Sequence, residues 1–459
     1  MTCGWVTSGK AIRGIDRQSL GVINIVLMFF GIFYFLICFF TALYLSNNKK
    51  QIPLLAWSLL ACGLVYGLFG GYFLNGGYLL AEYPGIAYLK NNRQIFFFHS
   101  VFSTAIFFGM YIGWNFKNTV FDMIVFKSRK IFNVSNKTIF SLAWFFLIFG
   151  FFLRWLYSKE YGGFIKYLAY SRAIRSGIFE INNPFSFLQP FGSLVLISSY
   201  FFWSLFHSGY KKNKSFFGLL LSFLFSLYIL FSLQGRMGFL IYLSTFVLSL
   251  VYIKKIKTIY LVLGIIPAGF LLILFAYILS NLLGIKGADS FVYYIVKELS
   301  FPFVSFFAQL EHNQYLFGCF LDIITAPIHL LPSSITSGWF LSADQLNTLV
   351  ISGAIKGEMG VTGTIPVDLI TFGLMQLHFI GIFFIGILFG IVIKLLQNIA
   401  MSISNKNVSL VYLSNFSINI AFMSVFYAGS SNFIGKLFPF ILIWLVFYAL
   451  SIIKRLKIK

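Results

Sequence analysis

The residues best suited to chemistry in this chain are arginines, a histidine–carboxylate pair and one aspartate, each set at the edge of a long apolar run. The sharpest signal is Leu233-Gln-Gly-Arg236-Met-Gly238, a near-minimal hairpin between two such runs. A guanidinium there can grip phosphate oxygens with a planar two-pronged fork, so pyrophosphate on a lipid is a natural ligand. The competing reading is an arginine reaching to lipid headgroups. A second signal lies in 157–185, where Lys166, Arg172 and Arg175 fall within KYLAYSRAIRSG. Arg172 and Arg175 are three apart and share a helix face, a spacing that suits a diphosphate. A solvated basic face touching anionic lipid is the alternative. Arg154, at the end of the preceding apolar run, is a weaker member of the same group.

A third group is Glu311-His312-Asn313, with His329 about one helix later. A histidine or carboxylate there can take a proton from a sugar hydroxyl; taken singly, each also reads as an ordinary loop polar residue. Asp368, in Gly363-Thr-Ile-Pro366-Val-Asp368, opens a later apolar run, where it can bind a sugar hydroxyl or cap the helix. Gly386-x-x-x-Gly390 within that run reads as helix packing. His99 and His378 fall inside runs and read as packed helix histidines.

The elements that must position these residues are membrane-spanning. Of 459 residues, 59% are hydrophobic and 10% charged, against about 25% charged in a soluble domain. Some eleven runs have the length to cross a bilayer: about 20–45, 52–74, 95–116, 138–156, 187–208, 215–233, 237–253, 258–279, 367–393, 408–428 and 433–453. The expected fold class is therefore an all-α polytopic membrane protein of about 11–12 transmembrane helices, one domain over 1–459. Its one long interruption, 280–366, separates the eighth and ninth spans. Within it, 291–310 and 315–331 are apolar but carry charges and prolines, so they are expected to lie along the interface or dip partway in.

The net charge of +22 raises nucleic acid as a partner, but its distribution excludes it. Lysines and arginines crowd into alternate loops, at 49–50, 117–137, 211–214, 254–257, 394–406 and 454–459, with Asp122 the one acid among them. That is the positive-inside pattern, so these loops are expected in the cytoplasm and 75–94, 157–185, 234–236, 280–366 and 429–432 outside. The N-terminus then falls outside, against the preference of Lys10, Arg13 and Arg17. Either the first segment does not fully cross or a twelfth crossing hides within 291–332.

The four cysteines, Cys3, Cys38, Cys62 and Cys319, have neither the spacing of a zinc site nor that of a disulfide framework. No P-loop, GxSxG elbow, HExxH or outer Asp-x-Asp pair is present. The expectation is no cofactor and no metal.

Taken together, Gly-Arg236-Met-Gly at the start of a span, the arginine-bearing loop two spans earlier, HNQYLFG followed by ITAPIHLLP, and PVDLITFG leading into a glycine-rich span resemble bacterial O-antigen polymerases of the Wzy type. The motifs cover about 150–395. The family's usual proline-arginine after the second loop helix is Leu331-Pro332-Ser333 here. The resemblance implies a GT-C-like, metal-independent, inverting glycosyltransferase of the inner membrane, with its active site and the long loop on the periplasmic side. Such an enzyme joins oligosaccharide repeat units carried on undecaprenyl pyrophosphate, among inner membrane lipids, in company with a chain-length regulator protein. Arg236, Arg172 and Arg175 would hold the departing pyrophosphate. His312 or Glu311, and less so Asp368, would orient or deprotonate the acceptor hydroxyl. The rivals are the O-antigen ligase, which shares the outer arginines but carries a longer, more histidine-bearing loop, and the flippase for the same lipid-linked units. A flippase places charges inside its helices, whereas these spans are nearly free of charge.

Overall fold

A computed structural model of the protein describes residues 17–47, 52–74, 93–117, 134–177, 183–233, 236–254, 291–312, 315–330 and 340–456, with fragments at 274 and 277–278. Within these it is all helical, with no strand. The apolar runs form helices because a chain in lipid must satisfy every backbone N–H and C=O internally. In order they are α1 (Arg17–Asn47), α2 (Leu54–Cys62), a π-helical stretch Gly63–Phe69, α3 (Gly70–Leu74), α4 (Arg93–Asn115), α5 (Asn136–Lys159), α6 (Phe164–Ser176), α7 (Ser193–His207), α8 (Lys212–Leu233) and α9 (Arg236–Lys254). Then follow α10 (Phe291–His312), α11 (Leu321–Thr325), α12 (Ala343–Ser352), α13 (Leu369–Ser402), α14 (Lys406–Val425) and α15 (Ser430–Leu456).

Seven helices among the described residues are long and apolar enough to cross a membrane. They are α1, the run from α2 into α3, α5, α8, α13, α14 and α15. The chain is a polytopic α-helical membrane protein. Helices α4, α7 and α9 fill the places of three further expected spans. The run expected at 187–208 begins as a 3-10 helix, Ser186–Gly192, around Pro190, and only then becomes α7. Proline lacks the N–H an α-helix needs at that point. The run expected at 258–279 lies almost wholly outside the described residues.

The tightest packing joins α4 to α13. A Cβ on Gly113 would sit 2.1 Å from the Ile387 carbonyl oxygen, and one on Gly390 would sit 2.3 Å from that of Met110. Gly109 and Gly386 face each other in the same seam. Gly386-x-x-x-Gly390 is thus a packing motif, matched by Gly109 and Gly113 on its partner.

One end of the bundle is tied by asparagines. Asn407 Nδ2 donates to Asn136 Oδ1 (3.0 Å) and to Ser208 Oγ (3.3 Å), joining the starts of α14 and α5 to the end of α7. By connectivity the ends of α5 and α8 and the start of α15 lie at the opposite end; α13 folds back on itself at Leu377–His378, where Gly373 and Gly381 meet, and its start joins that end through the Val367 carbonyl, which accepts from the Ala428 N–H. The residues with chemical potential collect there.

Helix α10 is not a surface helix. Residues 302–309 are all buried, and the helix packs against α13, α12 and α4. Its Ser305 hydroxyl donates to the Pro366 carbonyl (3.1 Å), and its Gln309 amide donates to Asn347 of α12 (3.1 Å). The long interruption is folded into the bundle at this point.

Candidate functional site

The site is built from the bottom of α5. Arg154 lies five residues before the helix end, about 7.5 Å along the axis at 1.5 Å per residue. Only 1% of its surface is exposed. Nη2 donates to Ser232 Oγ on α8 at 2.5 Å. The guanidinium packs over the rings of Tyr157 (4.9 Å) and Tyr167 (4.7 Å). Nε and Nη1 are buried without a hydrogen-bond partner, as are the hydroxyls of Tyr157 and Tyr161. Among the described residues no carboxylate hydrogen-bonds this arginine.

Among the described residues this environment is unfinished as a protein interior. Arginine cannot lose its proton there, and a buried charge without a counter-charge costs several kcal/mol. Cation–π contacts return about 2 kcal/mol each at a desolvated site. The unmet guanidinium N–H groups are donors of the kind that bind an oxyanion.

Helix α6 packs against Arg154. It supplies Tyr167, is held to α8 by the Tyr228 hydroxyl donating to the Phe164 carbonyl (2.8 Å), and carries Arg172 and Arg175 at exposed positions. It stops at Gly177, whose φ of +76° suits glycine alone. A Cβ on Gly177 would meet Gly357 Cα at 3.1 Å, so the end of α6 rests on the loop after α12. There Lys356 is held below the usual lysine range, by burial first and then by the neighbouring Arg175. Arg236 opens α9, four residues beyond Ser232. Its side chain lies outside the described residues. The structure therefore brings Arg154, the arginine helix and the start of α9 to one end of the bundle.

The other expected residues lie on other elements. Glu311 and His312 are exposed at the end of α10, with His312 Nδ1 3.1 Å from the Ala308 carbonyl. His329 sits half-buried on the 3-10 turn Ala326–Leu330, its Nε2 without a partner. Leu331-Pro332-Ser333 lies outside the described residues. Asp368 is a helix cap: its carboxylate accepts from the Ile370 and Thr371 amides of α13 and from the Tyr66 hydroxyl at 2.7 Å. It is 1% exposed, so of the two roles open to it in the sequence the geometry takes the cap. His99 packs among Tyr66, Phe303 and Phe306. His378 stands in a break in α13. Among the described residues no three His, Cys, Asp or Glu side chains cluster as a metal site.

Sequence reasoning passed over a second polar cluster at this end. Asp344, 5% exposed, accepts from the Val367 amide (2.9 Å) and from Asn432 (2.6 Å). Asp322 accepts from the Ala343 amide (2.8 Å) and from the Ser430 hydroxyl. Two carboxylates thus fasten α11, α12, the approach to α13 and the start of α15. Burial pushes the Asp344 carboxyl up to about 7, the Val367 amide opposes the shift, and the charge of Asp322 adds to it. The tyrosines of the arginine pocket were also missed; their one sequence signal is the Tyr157, Tyr161 spacing of four. No protein-family model matches this chain, and neither a curated protein nor a solved structure shows significant similarity to it.

Proposed function

We propose that this protein is an O-antigen polymerase: a metal-independent, inverting GT-C-like glycosyltransferase of the bacterial inner membrane with 11–12 spans. The observation that carries the reading is Arg154, a buried guanidinium whose Nε and Nη1 have no partner among the described residues, packed against a helix bearing two more arginines. A protein retains an uncompensated buried charge at a cost, and an anionic ligand offsets it. The pyrophosphate of an undecaprenyl carrier supplies that anion at headgroup depth. The long loop and the arginine end face the periplasm in this reading, as the basic loops at the other end favour.

In the reaction, the acceptor hydroxyl of a fresh lipid-linked repeat unit attacks the anomeric carbon at the carrier end of the growing glycan. The bond from that carbon to the phosphate oxygen breaks, and its electron pair leaves with undecaprenyl pyrophosphate. Arg154, Arg172, Arg175 and Arg236 stabilise the departing charge, which grows in the transition state. The hydroxyl proton passes to His312 or Glu311 and on to solvent. A chain-length regulator protein would be the partner.

The test is a lipopolysaccharide gel of a strain lacking the gene and of the same strain carrying the gene or its Arg154→Ala variant. A polymerase requires the ladder to collapse to a single repeat unit on the core in the deletion and the variant alike. Loss of all repeat units would point to the ligase or the flippase instead. An unchanged ladder would end the reading.

A further inference from the structure

We infer that a cavity at the break in α13 is a subsite for one neutral sugar ring. The inference deepens the proposed function and rests on it only for the source of the sugar, a repeat unit.

Helix α13 is interrupted at Leu377 (φ −146°, ψ 42°) and His378 (φ 55°, ψ −147°). The exposed backbone is met by a neighbouring segment. Gly318 N donates to the Met375 carbonyl (2.8 Å), Cys319 N to that of Gln376 (2.9 Å), and His378 N to that of Leu316 (2.9 Å). A Cβ on Gly318 would lie 3.1 Å from the Met375 oxygen, so the approach is as close as glycine permits. Of five non-glycine residues with positive φ among the described residues, Cys319, Phe320 and His378 surround this break. Each such residue costs about 1–3 kcal/mol, and such strain gathers at ligand sites.

The break borders a cavity of about 220 Å³, smaller than the ~300–1,000 Å³ that hold drug-sized ligands. One ring is what it can take. Its walls include the aromatic rings of Tyr315, Phe317 and Phe340 and the polar side chains of Asp322, Gln376 and Thr325. Flat apolar surfaces match the C–H face of a pyranose, and the polar groups match its hydroxyl rim.

The polar groups have capacity to spare. Among the described residues Asp322 Oδ1 accepts only the Ala343 N–H, which leaves a second acceptor position. Gln376 Oε1 accepts from Phe320 N (2.8 Å), and among the described residues no protein group takes its amide hydrogens. An acceptor and a donor on the wall of one cavity are the complement of sugar hydroxyls. An acyl chain would leave both unmet at a cost. The carboxylate repels a uronic acid or a phosphate, so the ring is neutral.

The ligand classes can be separated with the full-length protein in lipid nanodiscs by saturation-transfer NMR. The probes are glucose, N-acetylglucosamine and glucuronic acid. The expected result is transfer to the two neutral sugars, none to glucuronic acid, and at least a fivefold loss in Phe317→Ala. Phe317 is 69% exposed, so that variant removes the wall with little effect on folding; Phe340→Ala provides a second. Equal transfer in both variants and the parent, transfer to glucuronic acid at the neutral level, or no transfer at all would each overturn the inference. Farnesyl pyrophosphate titrated into the same discs reports on the arginine pocket separately. Pyrophosphate binding without sugar binding removes the subsite and leaves the proposed function standing. Sugar binding without pyrophosphate binding does the reverse.

Discussion

Arg154 reaches from α5 to Ser232 on α8, donating from Nη2 to Oγ at 2.5 Å across 78 residues of sequence. The contact fixes one edge of the guanidinium, and Nε and Nη1 are buried with no partner among the described residues. Under the proposed function, stability and ligand binding pull in opposite directions at this residue. In Arg154→Met the desolvation cost disappears, and similar replacements of buried charges are neutral or stabilising by about 1–4 kcal/mol. The melting temperature of the purified variant should not fall. Its affinity for farnesyl pyrophosphate should drop about 100-fold, the equivalent of ~2.7 kcal/mol. A lower melting temperature with unchanged affinity would show that the arginine is purely structural.

Asp344 should impose a pH dependence on stability. Its folded-state carboxyl titrates at about 7, above the ordinary value of 3.8. The folded protein therefore holds a proton that the unfolded chain releases. The resulting stability is full below the ordinary value and is lost as pH rises through about 7, at up to about 1.4 kcal/mol per pH unit. Thermal unfolding in detergent between pH 4.5 and 8 should show stability falling with pH. In Asp344→Asn that slope should flatten, because the amide carries no titrating proton. A slope identical to the parent would assign it to other groups.

Asp368 allows its two sequence readings to be told apart. Asparagine caps a helix as well as aspartate, whereas alanine costs ~0.5–2 kcal/mol. Asp368→Asn should keep the fold and the glycan ladder, and Asp368→Ala should unfold at a lower temperature. A stable Asp368→Asn protein with no ladder would mean that the charge acts on substrate.

The glycine seam leaves little room for change. Gly113→Ala places a methyl 2.1 Å from the Ile387 oxygen, so α4 and α13 must move apart. Overpacking of this kind costs about 1–3 kcal/mol. Gly435 has nothing within 4 Å of its Cβ position, so Gly435→Ala should leave the melting temperature unchanged. Melting curves of the two variants in one detergent make the comparison.

The sequence by itself marked the seven spans found among the described residues, because apolar length is a property of contiguous residues. The run read at 138–156 is the helix Asn136–Lys159, and that at 408–428 is Lys406–Val425. The spacing of Gly386 and Gly390 was likewise legible as a packing seam, although its partner glycines were not. Tertiary structure decided what the charged residues touch. Arg154 looked the weakest of the arginines, since the ring above it comes from Tyr167 and its hydrogen bond from Ser232. Asp322 and Asp344 drew no reading from the sequence, and become one cluster only because Ser430, Asn432 and Val367 arrive from distant parts of the chain. Hydropathy is additive along a segment and can be read in one dimension. Partnership between polar groups depends on approach within about 3 Å, and only the packed bundle sets that distance.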